Sequence, residues 1–430
     1  MKLVASILVV FMVMFVSYKS HEGNAGEKDL IRPHPVVTGI PDIPPVEGNP
    51  ATSGTTYYVS NSGSDSGHGT KDKPWATLQY AANHVKQGDT VLAQDGAYAG
   101  FFTVNSGTEK DPIVFKADGG NVIIHSRNGN TPDNINVERT DYIVVDGFIV
   151  KDADRGGIRV AESNGVIIKN NLVGPCNTWC IFTGFAPGIK ILNNKAFGAR
   201  EQHGIYVSNS RVPNDNPLIR SNETYGNNYS GIQVNGDCES GGDGVISGAV
   251  IEGNVIHDNF SKATSLISMQ DSVMRNNLIY NNGITSGAGG IHLTDEIGCG
   301  KPSSRNLIVN NTIIEPRIAG IRITDGAADN VIFNNIIFVS IKPPIADEVG
   351  KSHIDKDSNL TMRSASIPEN IFVDPATNNY RLTGKNSAID VGKTVFKKMD
   401  APGIDLEGAK RPQGKGIDLG AFELKPAATP

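Results

Sequence analysis

The stretch "VIIKNNLV", residues 166–173, joins a short apolar run, an Asn-Asn pair and a second apolar pair. It returns as "IKILNNKA" at 189, "VMRNNLIY" at 273, "LIVNNTII" at 307 and "VIFNNIIF" at 331. Runs this short cannot bury their alternate apolar residues alone, and recurrence at a near-constant period means that each copy is buried by stacking on the next. Asparagine tolerates the left-handed backbone of a tight corner, and its amide can bond to the neighbouring copy. The pairs at 170/171, 193/194, 276/277, 310/311 and 334/335 therefore read as structural corners.

A second motif lies upstream of most corners: "GIRV" at 157, "GIYV" at 204, "GIQV" at 231, "GIHL" at 290 and "GIRI" at 320. Placing Ile158, Ile181, Ile205, Ile232, Ile291 and Ile321 in one column gives intervals of 23, 24, 27, 59 and 30, so the long interval holds one more degenerate rung near Thr264. Three short strands per rung, with a corner after the second, make the unit of a right-handed parallel β-helix. The expected fold class is all-β, a right-handed parallel β-helix (solenoid) with an N-terminal capping helix from about Pro74 to Val85. The 48 glycines suit its many turns. A net charge of -6 argues against nucleic acid as a partner.

Lys2 followed by an apolar run from Leu3 to Val16 and a small-residue stretch reads as a signal peptide over 1–25. The run is shorter than the roughly 20 residues that span a bilayer. The expected product is a secreted monomer, extracellular or periplasmic, without membrane contact after cleavage. A Pro-rich linker occupies 26–54, the cap and first rungs 55–130, the repeats 131–345, and the last rungs with a closing segment 346–430. Export permits disulfides, and the expected pairs are Cys176 with Cys180 and Cys238 with Cys299.

Both ends support the same reading. "YYVSNSGSDSGHGTKDKPWATLQYA" followed by "GDTV" resembles the N-terminal cap of secreted right-handed β-helix proteins of the broad pectate lyase-like group. "FVDPATNNYRLTGKNSAIDVG" and "RPQGKGIDLGAFE" are similar to the group's closing segment. The resemblance covers about residues 55–425 and implies the fold. It does not extend to the catalytic motifs of the known lyases. The lysine of the ten-rung pectate lyases sits in a stretch like Asn-Ala-Asp-Gly-Phe, which is absent here, and "SLISMQDSVMRNN" places Gln270 where other lyases of this fold carry charge.

In the Gly-Ile-x-Val step the Ile and Val face inward, so x faces outward. The outward column reads Arg159, Phe182, Tyr206, Gln233, Ser265, His292 and Arg322, and a second column two residues on contains Asn235. Loops that follow add Asp237, Glu239 and Asp243, then Asp295 and Glu296. This combination suits an extended acidic polysaccharide and eliminative or C5-epimerising chemistry, which needs a base, an acid and neutralisation of a carboxylate. His292, Tyr206, Arg322 and His203 are the expected catalytic residues; Arg159, Gln233, Asn235, Asp295 and Glu296 would bind substrate. Asp237, Glu239 and Asp243 could hold Ca2+ as oxygen ligands. The alternatives are a glycoside hydrolase using two carboxylates such as Asp243 and Asp295, and a non-catalytic glycan-binding surface protein.

Overall fold

The computed structural model describes residues 52–425 except 211–214, 285–288, 297, 316, 351, 368–369 and 385. The signal peptide expected at 1–25 and nearly all of the 26–54 linker lie outside the described residues. Helix α1 spans Leu78–His84, four residues later than Pro74 suggested. The Asp65 carboxylate accepts the N–H groups of Ala76 and Thr77, which holds them out of the helix, and the Thr77 hydroxyl then caps α1 by accepting from Tyr80 N–H (3.1 Å). Leu78, Ala81, Ala82 and Val85 cover the first rungs.

The outward column lies on a ten-stranded parallel sheet. Its strands are β1 Phe101–Phe102, β2 Ile135–Glu138, β3 Gly156–Ala161, β4 Trp179–Gly184, β5 Ile205–Ser208, β6 Ser230–Asn235, β7 Lys262–Ile267, β8 Gly289–Thr294, β9 Ala319–Ile323 and β10 Ile345–Asp347. Strand β7 is the degenerate rung, with Thr264 between Ile232 and Ile291. The motif glycine is required because the backbone there crosses the core closely: a Cβ on Gly231 would lie 2.5 Å from Thr224 Oγ1 and 2.6 Å from Ile256 Cγ2. Strands β1 and β2 extend the sheet before the first Gly-Ile-x-Val copy, and β10 extends it after the last.

Two further parallel ladders complete each rung, one running through Ile167–Lys169 and Lys190–Leu192, the other through Leu172–Val173 and Lys195–Phe197. Both branch from the long strand Ile113–Ile124. The Asn pairs divide their labour. The first member takes the left-handed backbone, as at Asn170, Asn193, Asn276, Asn310 and Asn334. The second is buried and joins neighbouring rungs, accepting a backbone N–H from one while its own amide donates to the next. The resulting ladder runs Asn171, Asn194, Asn222, Asn254, Asn277, Asn311, Asn335, Asn359. Asn222 and Asn254 escape the Asn-Asn pattern because Ser221 and Gly253 take the left-handed position before them.

After the last rung the chain turns back along the outside of the third ladder. There Phe372, Tyr380, Leu406, Leu419 and Phe422 pack on Tyr280, Ile314 and Phe338. Three corner asparagines clasp this segment: Asn276 donates to Ile404 O, Asn310 to Asp418 O and Asn334 to Lys393 O.

Cys238 and Cys299 form the expected disulfide, but Cys176 and Cys180 are free thiols buried in the core. Cys176 stacks in register between Ala153 and Ala199, and the Cys180 thiol donates to Phe197 O while also lying in hydrogen-bond contact with the Cys176 thiol. The Cys238–Cys299 bond closes a 61-residue separation, and its loss is expected to lower stability by about 2–4 kcal/mol. Thiol mapping of the denatured protein should find two free cysteines, and a count of four would refute the bond.

Candidate functional site

The predicted outward column is realised in register. Asn136, Arg159, Phe182, Tyr206, Gln233, Ser265, His292, Arg322 and Ala346 are successive cross-strand partners, about 4.8 Å apart. The second column places Ser208, Asn235, Ile267 and Thr294 beside it.

Both arginines already hold carboxylates. Arg159 Nη1 donates to Glu138 (2.7 Å) and Asn136 (3.1 Å). Arg322 forms a two-pronged contact with Glu348 through Nε and Nη2, each at 2.8 Å. Its Nη1 makes no hydrogen bond among the described residues.

Tyr206 is hydrogen-bonded to Ser208, Asn235 and Gln233, and burial raises the pKa of its phenol. Asn235 in turn contacts Glu296, whose carboxyl is pushed up by burial and by the neighbouring Asp237, Glu239 and Asp295. His203 is buried between the rings of Tyr206 (5.0 Å) and Tyr229 (5.3 Å). Its Nδ1 accepts Ser230 N–H at 3.3 Å. Burial and Lys262 lower its pKa to about 3, so it stays neutral and serves as packing between rungs.

His292 is held differently. Thr294 donates to Asp325 (2.7 Å) and Thr324 donates to Thr294 (3.0 Å), so the Thr324 oxygen is left to accept from His292 Nε2 at 3.0 Å. That fixes the proton on Nε2 and leaves the buried Nδ1 as a lone pair without a partner among the described residues. Burial, then Lys262 and Arg322, lower the pKa of the ring to about 3.

The acidic loops do not assemble a metal centre. Asp237 accepts from Asn209 (2.9 Å) and Ser240 (2.8 Å), the Asp243 carboxylate accepts from Val245 N–H while its backbone carbonyl accepts from Lys301, and Glu239 is exposed. Among the described residues no three acidic, His or Cys side chains converge for an ion. Asp295 is tied to Ser268 and Lys301 N–H.

Lys262 was missed from sequence. It stands just before the motif's glycine position, in the column Gly156, Trp179, His203, Ser230, Lys262, Gly289, Ala319, and reading one residue ahead of each glycine would have found it. Its Nζ lies 5.5 Å from the centre of the Tyr229 ring and 3.4 Å from Ser265 Oγ. No carboxylate pairs with it among the described residues. Burial, helped by Arg322, pulls its pKa down to about 8.

A family model described as "Right handed beta helix region" matches residues 201–367. Pectate lyase Pel9A superimposes with a TM-score of 0.63 over 86% of this chain and 96% of its own, at 14% identity. The chain is a right-handed parallel β-helix. The same fold is seen in XylC complexed with xylose (TM-score 0.58, 11% identity, 86% and 98% covered) and in a rhamnogalacturonan lyase (0.54, 15%, 75% and 91%). A second family model, "Periplasmic copper-binding protein (NosD)", matches residues 87–251 of this β-helix. The uncharacterized protein YwoF of Bacillus subtilis (strain 168) is 32% identical over 139 residues, which span 29% of this chain and 30% of that protein. No helix among the described residues is long and apolar enough to cross a membrane.

Proposed function

We propose that this protein is exported, extracellular or periplasmic, and cleaves an acidic polysaccharide by β-elimination on the ten-stranded face, with Lys262 as the base. The observation that carries the reading is an amine without a carboxylate partner among the described residues, half-buried beside the polar column at Ser265, with a pKa of about 8. A buried charge without a partner is costly, and the cost favours either a bound anion or the neutral, basic amine.

In the proposed step the uronate carboxylate meets Arg322 Nη1. Lys262 takes the C5 proton. The C5–H electron pair forms the C4=C5 double bond as the C4–O bond breaks, and the Lys262 ammonium hands its proton to the departing oxygen. Epimerisation would need a proton donor on the opposite face of C5. Neutral His292, one rung from Ser265, commits its Nε2 proton to Thr324 and offers no such donor, which favours elimination. Tyr206 lies two rungs from Ser265, about 10 Å, and so contacts a different sugar.

The test is a panel of pectate, alginate, glycosaminoglycan and bacterial exopolysaccharides, with and without Ca2+. Unsaturated uronate is followed by ultraviolet absorbance, and reducing ends are followed in parallel. Absorbance and reducing ends are expected to rise together and without added Ca2+. Reducing ends without absorbance would establish a hydrolase, and binding without turnover would establish a glycan-binding protein.

A further inference from the structure

Resting on that reading, we infer that the polymer is a heteropolysaccharide, with uncharged sugars seated on an aromatic belt beside the uronate site. The belt runs over three rungs. Trp179 and Phe182 lie with ring centres 4.6 Å apart, Phe182 and Tyr206 follow at 5.4 Å edge to face, and His203 links Tyr206 to Tyr229. Tyr229 is 44% exposed and Trp179 and Phe182 are partly exposed. Single exposed apolar residues are ordinary, but a contiguous apolar strip on a ligand face is not. Lys262 sits over Tyr229, so the belt is continuous with the base.

Charge divides the face into two halves. On the belt half Arg155 is neutralised by the fully buried Asp133 (2.5 Å), which places the guanidinium 5.7 Å from the Trp179 ring centre, and Arg159 by Glu138 (2.7 Å). A homopolymer of uronates would lay carboxylates along this half, where the guanidiniums of Arg155 and Arg159 are already paired. The C–H face of an uncharged sugar suits it, because those hydrogens carry partial positive charge and meet the negative faces of the rings while apolar area is buried. From β4 to β7 is three rungs, about 14 Å, so the stacked sugars lie several positions from the scissile bond and act in specificity.

The chain has two tryptophans, and Trp75 is buried in the cap, so ligand-induced changes in fluorescence report on Trp179. The full chain carrying Lys262→Met would be titrated with uronate homo-oligomers and with oligomers alternating uronate and an uncharged deoxy or N-acetyl sugar. The alternating oligomers are expected to shift the emission, with Phe182→Ala raising their Kd roughly three- to tenfold and Trp179→Phe silencing the shift. Homo-oligomers that shift Trp179 equally and bind Phe182→Ala without loss would overturn the inference. Abolished turnover in Lys262→Met with a silent Trp179 keeps the lyase reading and removes the heteropolymer. A Trp179 shift with alternating oligomers, together with wild-type turnover in Lys262→Met, supports the belt and removes the base. No binding of either oligomer overturns both.

Discussion

Lys262→Met is expected to lower turnover by about 10² to 10⁴, the usual effect of losing a general base, while the protein still binds substrate. Methionine keeps the apolar stem of the side chain and removes only the amine. Lys262→Arg separates charge from basicity, because a guanidinium keeps the positive charge but cannot deprotonate in the working range. Activity retained by the arginine variant would sink the assignment of Lys262 as the base. The pH dependence follows from the depressed pKa. Below about 8 the amine is protonated and cannot take a proton, so kcat/KM should climb with pH and level off above about 8. His203 and His292 are neutral over this range and add no limb. Arg322→Gln removes a positive neighbour that helps depress Lys262, and should move the limb to higher pH. Substrate carboxylate acts in the same direction, so the limb in kcat should lie above that in kcat/KM.

The Gly-Ile-x-Val spacing was enough to place Tyr206, Gln233, His292 and Arg322 in one column, because a parallel ladder with an apolar inner face has only one register that buries Ile and Val together. What the spacing could not show is how each outward side chain spends its bonding capacity. Arg322 reads as a free fork until Glu348, 26 residues later, occupies two of its nitrogens. His203 and His292 look alike in sequence. One gives Nδ1 to a backbone N–H and the other keeps Nδ1 unpartnered because a chain of hydroxyls ending at Asp325 claims Nε2. Cys176 and Cys180 are close in sequence and their thiols touch, yet they remain unbonded, with Cys176 in register between Ala153 and Ala199 and Cys180 donating to Phe197 O. Acidic loop residues invite a metal reading on composition alone. The side chains of Asp237, Asp243 and Asp295 accept from separate local donors, and composition carries no information about convergence.

Glu315→Gln should reverse its effect on stability between acid and alkaline pH. A second amide ladder runs Asn227, Asn259, Asn282 and ends at Glu315, which accepts Asn282 N–H at 2.8 Å and the Asn282 amide at 2.7 Å. Burial dominates those favourable bonds and raises the Glu315 pKa to about 8, well above the unfolded value of about 4.3. The folded state therefore binds a proton that the unfolded state releases. Stability from this group is fully present below about pH 4.3 and is lost as pH rises through about 8, a swing of roughly a few kcal/mol. Glutamine at this position cannot ionise, although it gives up one of the two acceptor oxygens facing Asn282, so it should cost a little stability at pH 5 and add several degrees to Tm at pH 9. Other groups titrate in the same window, Lys262 among them with the opposite sign. The informative quantity is the difference in Tm between variant and wild type, measured by calorimetry at each pH. A difference that stays constant from pH 5 to 9 would mean that the carboxyl ending the ladder does not titrate there, and that the end of the asparagine ladder holds a charge after all.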